Sequence, residues 1–201
     1  MKRLEAVEGL CRLKIKRQTP RRNIIVLVDT SGSMFSSIFG ATGKELDLKY
    51  GVDYAFSLAL SILYELLVSG SAVDGYLGFF SDKTSDFEYG GLLKEALMRG
   101  GQGDYFSLND IDASDVAAAL NKKNITLKAT TGGTDPNPLL QYLLNLAENE
   151  LVLHAVFIVT DGYTPAIRLE KRIPLSVHIV PGGARPAVEH PDPSLVHIYQ
   201  Y

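Results

Sequence analysis

The chain has 201 residues, of which 46% are hydrophobic and 21% are charged, and its formal net charge is −3. This length suits one substantial domain and is short for two, and the composition is ordinary for a soluble globular protein, with a net charge that indicates no class of partner. Cys11 is the only cysteine, which excludes an internal disulfide framework and fits a reducing compartment, the cytoplasm, as does the lack of a secretory signal.

Residues 1–22 form a basic segment, with eight lysines and arginines against two glutamates. Leu13 and Ile15 alternate with basic residues, which is typical of an edge strand. Such an arm can bind nucleic acid, an acidic protein or a membrane surface, but it lacks the interleaved aromatic residues that would favour nucleic acid. We therefore divide the chain into this basic arm or edge strand and a single domain over residues 23–201.

Within that domain, short apolar segments alternate with amphipathic ones. Strands are predicted over 24–29, 73–80, 87–89, 153–160, 175–180 and 195–199, and helices over 52–68, 92–98 and 138–149, with a helical turn at 165–172. A further helix is predicted through 117–120, with Asp112 or Ser114 as its cap. This alternation predicts an α/β fold with a doubly wound, mostly parallel central sheet covered by helices on both faces. In the most apolar helix, Asp53 and Glu65 leave too few residues between them to span a membrane.

Oxygen-bearing side chains follow the strands of this predicted sheet. Asp29, Ser31 and Ser33 leave the first strand, Thr134 precedes a helix, and Asp161 ends a later strand. Strand-exit loops of a parallel sheet meet at one edge, so these five side chains are expected to converge. Carboxylate and hydroxyl oxygens without imidazole or thiolate suit a hard cation, Mg²⁺ before Mn²⁺ or Ca²⁺. With two carboxylates and three neutral hydroxyls, the ion would attract a further carboxylate from a partner or substrate.

The motif closely resembles that of the von Willebrand factor A (VWA) family, whose metal-ion-dependent adhesion site is written Asp-x-Ser-x-Ser, then a distant Thr and a distant Asp. Here it reads Asp29-Thr30-Ser31-Gly32-Ser33, with Thr134 in Gly-Gly-Thr and Asp161 in Val-Thr-Asp-Gly. The resemblance covers about residues 23–181. It implies a Rossmann-like VWA fold in which Asp29, Ser31 and Ser33 bind Mg²⁺ directly or through water. Thr134 and Asp161 would switch between direct and water-mediated contact.

The resemblance also implies a function. The open position on the ion would take an Asp or Glu of a protein partner, so the domain would be a binding adaptor and not an enzyme. The run from Asp29 to Met34 looks like the intracellular bacterial and archaeal branches, which often work beside ring ATPases of the AAA+ type or within ribonucleoprotein and stress-response assemblies. The chain departs from the family over 82–124, which align poorly, and over 182–194, where prolines leave little or no helix.

Other interpretations stay open beside this one. A Mg²⁺-dependent phosphohydrolase would need an acid at position 31, where the chain has Ser31, and a nucleic-acid- or ribonucleoprotein-associated module would use the basic arm. Asp135 could orient a water molecule or simply cap the following helix. Residues 34–39 could form a partner-binding rim or pack on the sheet. His154 and His178 are interpreted as core histidines with satisfied hydrogen bonds.

Overall fold

The structure, a computed structural model, describes residues 21–35, 51–69, 72–80, 87–88, 105–109, 111–120, 126–127, 134–148 and 152–201. Its helices are α1 (Gly51–Val68), α2 (Ala113–Leu120) and α3 (Asn137–Glu148), with short 3-10 helices at Gly32–Phe35 and Pro193–Leu195. Its strands are β1 (Arg21–Asp29), β2 (Ala72–Phe80), β3 (Phe87–Glu88), β4 (Tyr105–Ser107), β5 (Thr126–Leu127), β6 (Ala155–Thr160), β7 (Ile167–Arg168), β8 (Leu175–Ile179), β9 (Val188–Glu189) and β10 (Val196–Gln200).

A six-stranded sheet in the order β10-β8-β6-β1-β2-β4 forms the centre of the fold. The first five strands in this order are parallel to their neighbours, and β4 pairs antiparallel with β2 at the edge. The predicted mostly parallel α/β sheet is therefore confirmed. In the sheet, β1 has β2 as its neighbour on one side and β6 as its neighbour on the other. The crevice between β1 and β6 is thus the point where the winding reverses, which is the usual place for a ligand in such sheets.

Helices cover both faces of this sheet, and β1 shows why its sequence is apolar throughout. Val26 and Val28 pack on the face that carries α1 and α2, whereas Ile25 and Leu27 pack on the face that carries α3. A strand buried on both sides has no solvent-facing positions, so it reads as a continuous apolar run. At about 25 cal/mol per Å² of buried apolar surface, these two layers supply most of the stabilisation of the fold.

Several element boundaries differ from the sequence prediction. Strand β1 begins at Arg21, so the last two residues of the predicted basic arm belong to the central sheet. The helical turn predicted over 165–172 is wrong, because Ile167–Arg168 pairs in parallel with Val188–Glu189. Over 182–194 the chain has no α-helix, as its prolines predict. The predicted helix over 92–98 and residues 1–20 of the arm lie outside the described residues.

Helix α1 is, within the described part of the chain, the one helix long and apolar enough to cross a membrane by length and composition. It has 18 residues, so Asp53 and Glu65 do not by themselves exclude that it spans a membrane. Its packing is more informative. Ala55, Phe56, Ala59, Leu60 and Leu63 recur at helical spacing and are buried against the sheet, which is the pattern of a core helix.

Candidate metal centre

Strands β1 and β6 bring the ends of two predicted motif segments side by side. The two strands are parallel neighbours, and Val28 is in register with Val159. The next residues along, Asp29 and Thr160, therefore leave the sheet together at its carboxyl edge. Asp161 follows Thr160 directly. The pairing of β1 with β6 thus brings Asp29 and Asp161 together, although more than a hundred residues separate them in the sequence.

The carboxylate of Asp29 lies at the bottom of this crevice and is fully buried. Its Oδ1 accepts a hydrogen bond from the backbone N–H of Ser31 at 2.9 Å. Its Oδ2 accepts one from the hydroxyl of Thr160 at 2.6 Å, across the β1–β6 pairing. Both oxygens are therefore held in fixed directions, one by the turn that follows β1 and one by the neighbouring strand.

Burial is the main influence on the charge of Asp29. It raises the pKa of the carboxyl from 3.8 to about 6, although hydrogen bonds from Thr160 and Ser31 lower the pKa and the negative charge of Asp161 raises it further. Among the described residues, the groups that act on this pKa include no cationic side chain. An ionised carboxylate removed from water is unfavourable unless an opposite charge lies close to it. The site therefore fits a bound cation on electrostatic grounds.

The two serines of the motif lie on the turn that follows β1. Ser31 is buried and Ser33 is exposed, and their hydroxyl oxygens are 3.1 Å apart in a hydrogen bond. The turn continues as a 3-10 helix in which the N–H of Met34 donates to the carbonyl of Ser31 at 3.1 Å. Met34 is buried in the core on the α1 face, so its packing holds the turn against the sheet. Met34 packs inward, and the remainder of the predicted 34–39 rim lies largely outside the described residues.

Asp161 is buried beside Asp29 and belongs to a tightly folded loop. Its Oδ1 accepts a hydrogen bond from the N–H of Tyr163 at 3.1 Å, and its carbonyl accepts one from Ala184 at 2.7 Å. Gly162 has φ of +79°, a conformation that other residues rarely adopt. The conformation of the loop after β6 is therefore held by hydrogen bonds within its own turn and by one to the loop that follows β8.

Thr134 reaches the same loop, but its hydroxyl donates to the carbonyl of Tyr163 at 2.6 Å. The structure thus brings Thr134 to the segment that carries Asp161 through a contact that the motif did not predict. The adjacent Asp135 accepts hydrogen bonds from the backbone and side-chain nitrogens of Asn137, at 3.0 and 2.7 Å. Of its two interpretations, the geometry supports helix capping.

The donor set at this crevice consists of two carboxylates with hydroxyl oxygens around them. In the described part of the chain, no three His, Cys, Asp or Glu side chains are grouped so that they could hold an ion. An ion here would therefore depend on the serine and threonine hydroxyls for its remaining contacts. Such all-oxygen sets with few charges suit Mg²⁺, which keeps several of its waters. The residues present fit the ion that the sequence predicted.

Sequence reasoning missed Thr160, which donates to Asp29 and accepts a hydrogen bond from the N–H of Gly162 at 3.0 Å. Its position was readable in principle, because a threonine at the end of a buried parallel strand can turn its hydroxyl towards the neighbouring strand. The role depends on the register of β1 against β6, which the sequence does not show. Thr160 therefore orients a candidate ligand and links it to the Asp161 loop.

Replacing Thr160 by valine tests this orienting role. Thr160→Val keeps the shape of the side chain but removes the donor to Asp29, so the carboxylate loses a hydrogen bond that favours its charged form. We expect Mg²⁺ affinity to fall about tenfold, the lower end of the effect of losing an orienting partner. Isothermal titration calorimetry would measure the affinity, with Thr164→Val, whose hydroxyl donates to the carbonyl of Pro165, as the control. Equal affinities for Mg²⁺ in both variants would contradict the role.

In comparisons with known proteins, no family model matches this chain and no curated protein matches it. The case for a function therefore depends on the geometry of the crevice and on the motif.

Proposed function

We propose that the chain is a VWA-type domain that binds Mg²⁺ at the β1–β6 crevice and uses it to bind a carboxylate of a protein partner. The observation that carries the proposal is the fully buried Asp29 carboxylate, which Ser31 and Thr160 hold and whose pKa no cationic side chain of the described residues lowers. A purely structural aspartate at this depth would be expected to have a cation or more donors.

Each of the five proposed ligands contributes according to its chemistry. Asp29 supplies the charge that attracts the ion, and the hydroxyls of Ser31 and Ser33 supply neutral oxygens on the adjoining turn. Thr134 and Asp161 complete the set from the loops around β6. When bound, the ion supplies a positive charge that is only partly neutralised, and this attracts an Asp or Glu carboxylate from outside the chain. Mn²⁺ or Ca²⁺ could replace Mg²⁺ in the same oxygen set.

The partner in this proposal is a protein and not a small substrate. An AAA+ ATPase or another assembly subunit in the cytoplasm fits the resemblance of the motif to intracellular VWA branches. Tyr163 is exposed directly beside the crevice, with its backbone bonded to both Asp161 and Thr134. An aromatic side chain at this place would contact the residues that flank the partner's carboxylate, because tyrosine supplies large contact area at interfaces.

Catalysis is not part of the proposal. A phosphohydrolase using Asp29 as nucleophile would need an acid two residues on, and Ser31 with its hydroxyl bonded to Ser33 offers none. Turnover of a phosphate ester that disappears in Asp29→Ala would overturn this view. The nucleic-acid alternative depends on the basic arm, of which the described residues include Arg21 and Arg22 as part of β1.

The proposal is tested by metal-dependent stabilisation of the full chain. After treatment with EDTA, added Mg²⁺ should raise the melting temperature, because a ligand that binds the folded state stabilises it by mass action. Ser31→Ala should reduce Mg²⁺ affinity at least about tenfold. Ser61→Ala, whose hydroxyl bonds a carbonyl within α1, is the matched control. If Mg²⁺ stabilises neither the wild type nor the control, the proposed site does not exist.

Partner binding is the second stage of the same test. The chain, immobilised and loaded with Mg²⁺, should retain a protein that is released by EDTA and is not retained by Asp29→Ala. Chemical crosslinking should place an Asp or Glu of that protein next to Tyr163. Retention that survives both EDTA and Asp29→Ala would show that binding uses another surface, and would reject ion bridging as its mechanism.

A further inference from the structure

The β10 edge of the central sheet has backbone hydrogen-bonding groups that no described strand uses. β10 pairs with β8 on one side, and no described strand lies on its other side. The N–H of Tyr201 donates to the carbonyl of Ile179 at 3.2 Å. This bond shows which residues of β10 direct their backbone groups towards β8 and which direct them away from it. In a parallel pair, the residues between those that bond the neighbour turn their N–H and C=O outward. Ile198 and Gln200 therefore present donors and acceptors at the edge that faces away from β8.

A cavity of about 300 Å³ lies beside this edge, on the face of the sheet that carries α3. Val196 and Ile198 contribute its wall from β10, at alternate positions of the strand. The opposite face of β10 does not contribute to the cavity. There Tyr199 stacks on His178. The cavity is lined by the apolar Pro186, Val188, Val196 and Ile198, together with Arg185 and His190.

Arg185 is the charged residue of this lining, and it is exposed. It has no ion pair or hydrogen bond with any described residue. The acids nearest to it in sequence are already paired, Glu189 with Arg168 at 3.0 Å and Asp192 with Arg172 at 2.6 Å. An arginine beside an apolar cavity, with no carboxylate left among its sequence neighbours, is complementary to a carboxylate from elsewhere.

His190 does not compete for this role. Its Nε2–H donates to the carbonyl of Ile173 at 2.9 Å, and its Nδ1 accepts from the N–H of Asp192 at 3.0 Å. Both ring nitrogens are used in the neutral form, so the histidine serves as a fixed wall of the cavity.

We propose that the outer edge of β10 binds an extended peptide strand of a partner protein. The strand pairs with the backbone of Ile198 and Gln200, places alternate apolar side chains in the cavity and directs one carboxylate to Arg185. This is the known mode of strand addition, in which backbone bonds give affinity and pockets for alternate side chains give specificity. A second copy of this chain fits less well, because the described lining of its cavity offers another Arg185 and no carboxylate.

This binding surface is separate from the proposed metal centre, since none of the candidate ligands lines the cavity. Peptide binding should therefore be unchanged by EDTA and by Asp29→Ala. The two proposals can then fail independently.

The test uses the full chain and two capped, fluorescein-labelled eight-residue peptides of alternating Thr and Val, with Glu at the first position in one and at the last in the other. Fluorescence anisotropy should show that one of them binds. Amide hydrogen exchange measured by NMR should then show slower exchange at Ile198 and Gln200. Since only the free chain exchanges at these amides, about 90% saturation should slow them about tenfold. The amides of His197 and Tyr199 face β8 and should change little.

Matched variants test the two chemical features of the surface. Arg185→Gln should weaken peptide binding about tenfold, because a hydrogen bond to a charged group is lost, whereas Arg22→Gln removes an exposed cation of β1 that does not line the cavity and should have no effect. Ile198→Thr, on the cavity face, should also weaken binding, whereas His197→Thr on the other face should not.

Three results would overturn the proposal. The first is the absence of binding by either peptide at about 1 mM, a concentration that detects even weak complexes. The second is binding without protection of Ile198 and Gln200. The third is protection of these amides that grows with protein concentration without peptide, which would assign the edge to pairing between two copies.

Discussion

Without divalent cations, Asp29→Asn should increase the free energy of unfolding near pH 7 by about 2 kcal/mol. Burial raises the pKa of Asp29 to about 6, so ionising this carboxyl at neutral pH destabilises the folded chain by about 3 kcal/mol. Asparagine has the same shape and no charge. Its oxygen can accept from the N–H of Ser31, and its NH₂ can donate to the hydroxyl oxygen of Thr160. The expected gain is smaller than the full amount because hydrogen bonds to a neutral group are weaker.

The pH dependence of this difference has a definite sign. Below pH 3.8 the carboxyl is protonated in the folded and unfolded chains alike, so charge makes no difference between Asp29 and its Asn variant. As the pH rises from 3.8 to about 6, the unfolded chain loses its proton first, so the folded wild type loses stability relative to the variant. Above about pH 6 both are ionised and the difference is constant. Urea unfolding of both proteins across this range, in EDTA, would measure the difference.

Added Mg²⁺ should reverse the order of stability. At a concentration about a hundred times its dissociation constant, the ion should stabilise the wild type by about 2.7 kcal/mol, and it should not stabilise Asp29→Asn. Glu65→Gln removes an exposed negative charge near the end of α1. Like wild type, this variant should be stabilised by Mg²⁺ and should show no gain in stability in EDTA. A variant that is destabilised in EDTA at every pH would contradict the idea that this carboxylate lacks a compensating charge.

The central strands could be predicted from sequence because their signals are local. β1, β2, β6 and β8 are apolar runs bounded by turn residues, and their predicted bounds agree with the structure within a few residues. The motif residues that leave β1 and β6 follow from these strands. That Asp29 and Asp161 lie close together also follows from the parallel order, since neighbouring strands end at one edge.

Other features depend on pairings between distant segments and could not be read from the sequence. Residues 167–168 form a strand only because 188–189 lie beside them, and the local pattern alone suggested a helical turn. The bond from Thr160 to Asp29 needs the register of β1 and β6. The bond from Thr134 to the Tyr163 carbonyl needs the conformation of the loop after β6. In each case the partner comes from another part of the chain.

The second large effect is expected at Gly162, next to Asp161. An added Cβ would lie 1.6 Å from the carbonyl oxygen of Ala184, at a φ of +79° that alanine rarely adopts. Gly75 is a matched position away from the crevice, where a Cβ would lie 1.9 Å from the carbonyl oxygen of Ile24 at a φ of +117°. Gly162→Ala and Gly75→Ala should each lower the free energy of unfolding by about 3 kcal/mol or more, from strain and displaced backbone.

Mg²⁺ binding should separate these two glycine variants. In Gly162→Ala, relief of the clash moves the Ala184 segment or the loop after β6, and with it the bond from the Ala184 N–H to the Asp161 carbonyl. Mg²⁺ affinity should therefore fall at least about tenfold in this variant, as for lost orienting contacts, and remain close to wild type in the folded fraction of Gly75→Ala. Gly32→Ala, where an added Cβ meets no described residue within 4 Å, should change neither property. Urea unfolding and calorimetry would measure both, and equal Mg²⁺ affinity in the variants at Gly162 and Gly75 would show that the Asp161 loop is not part of the metal centre.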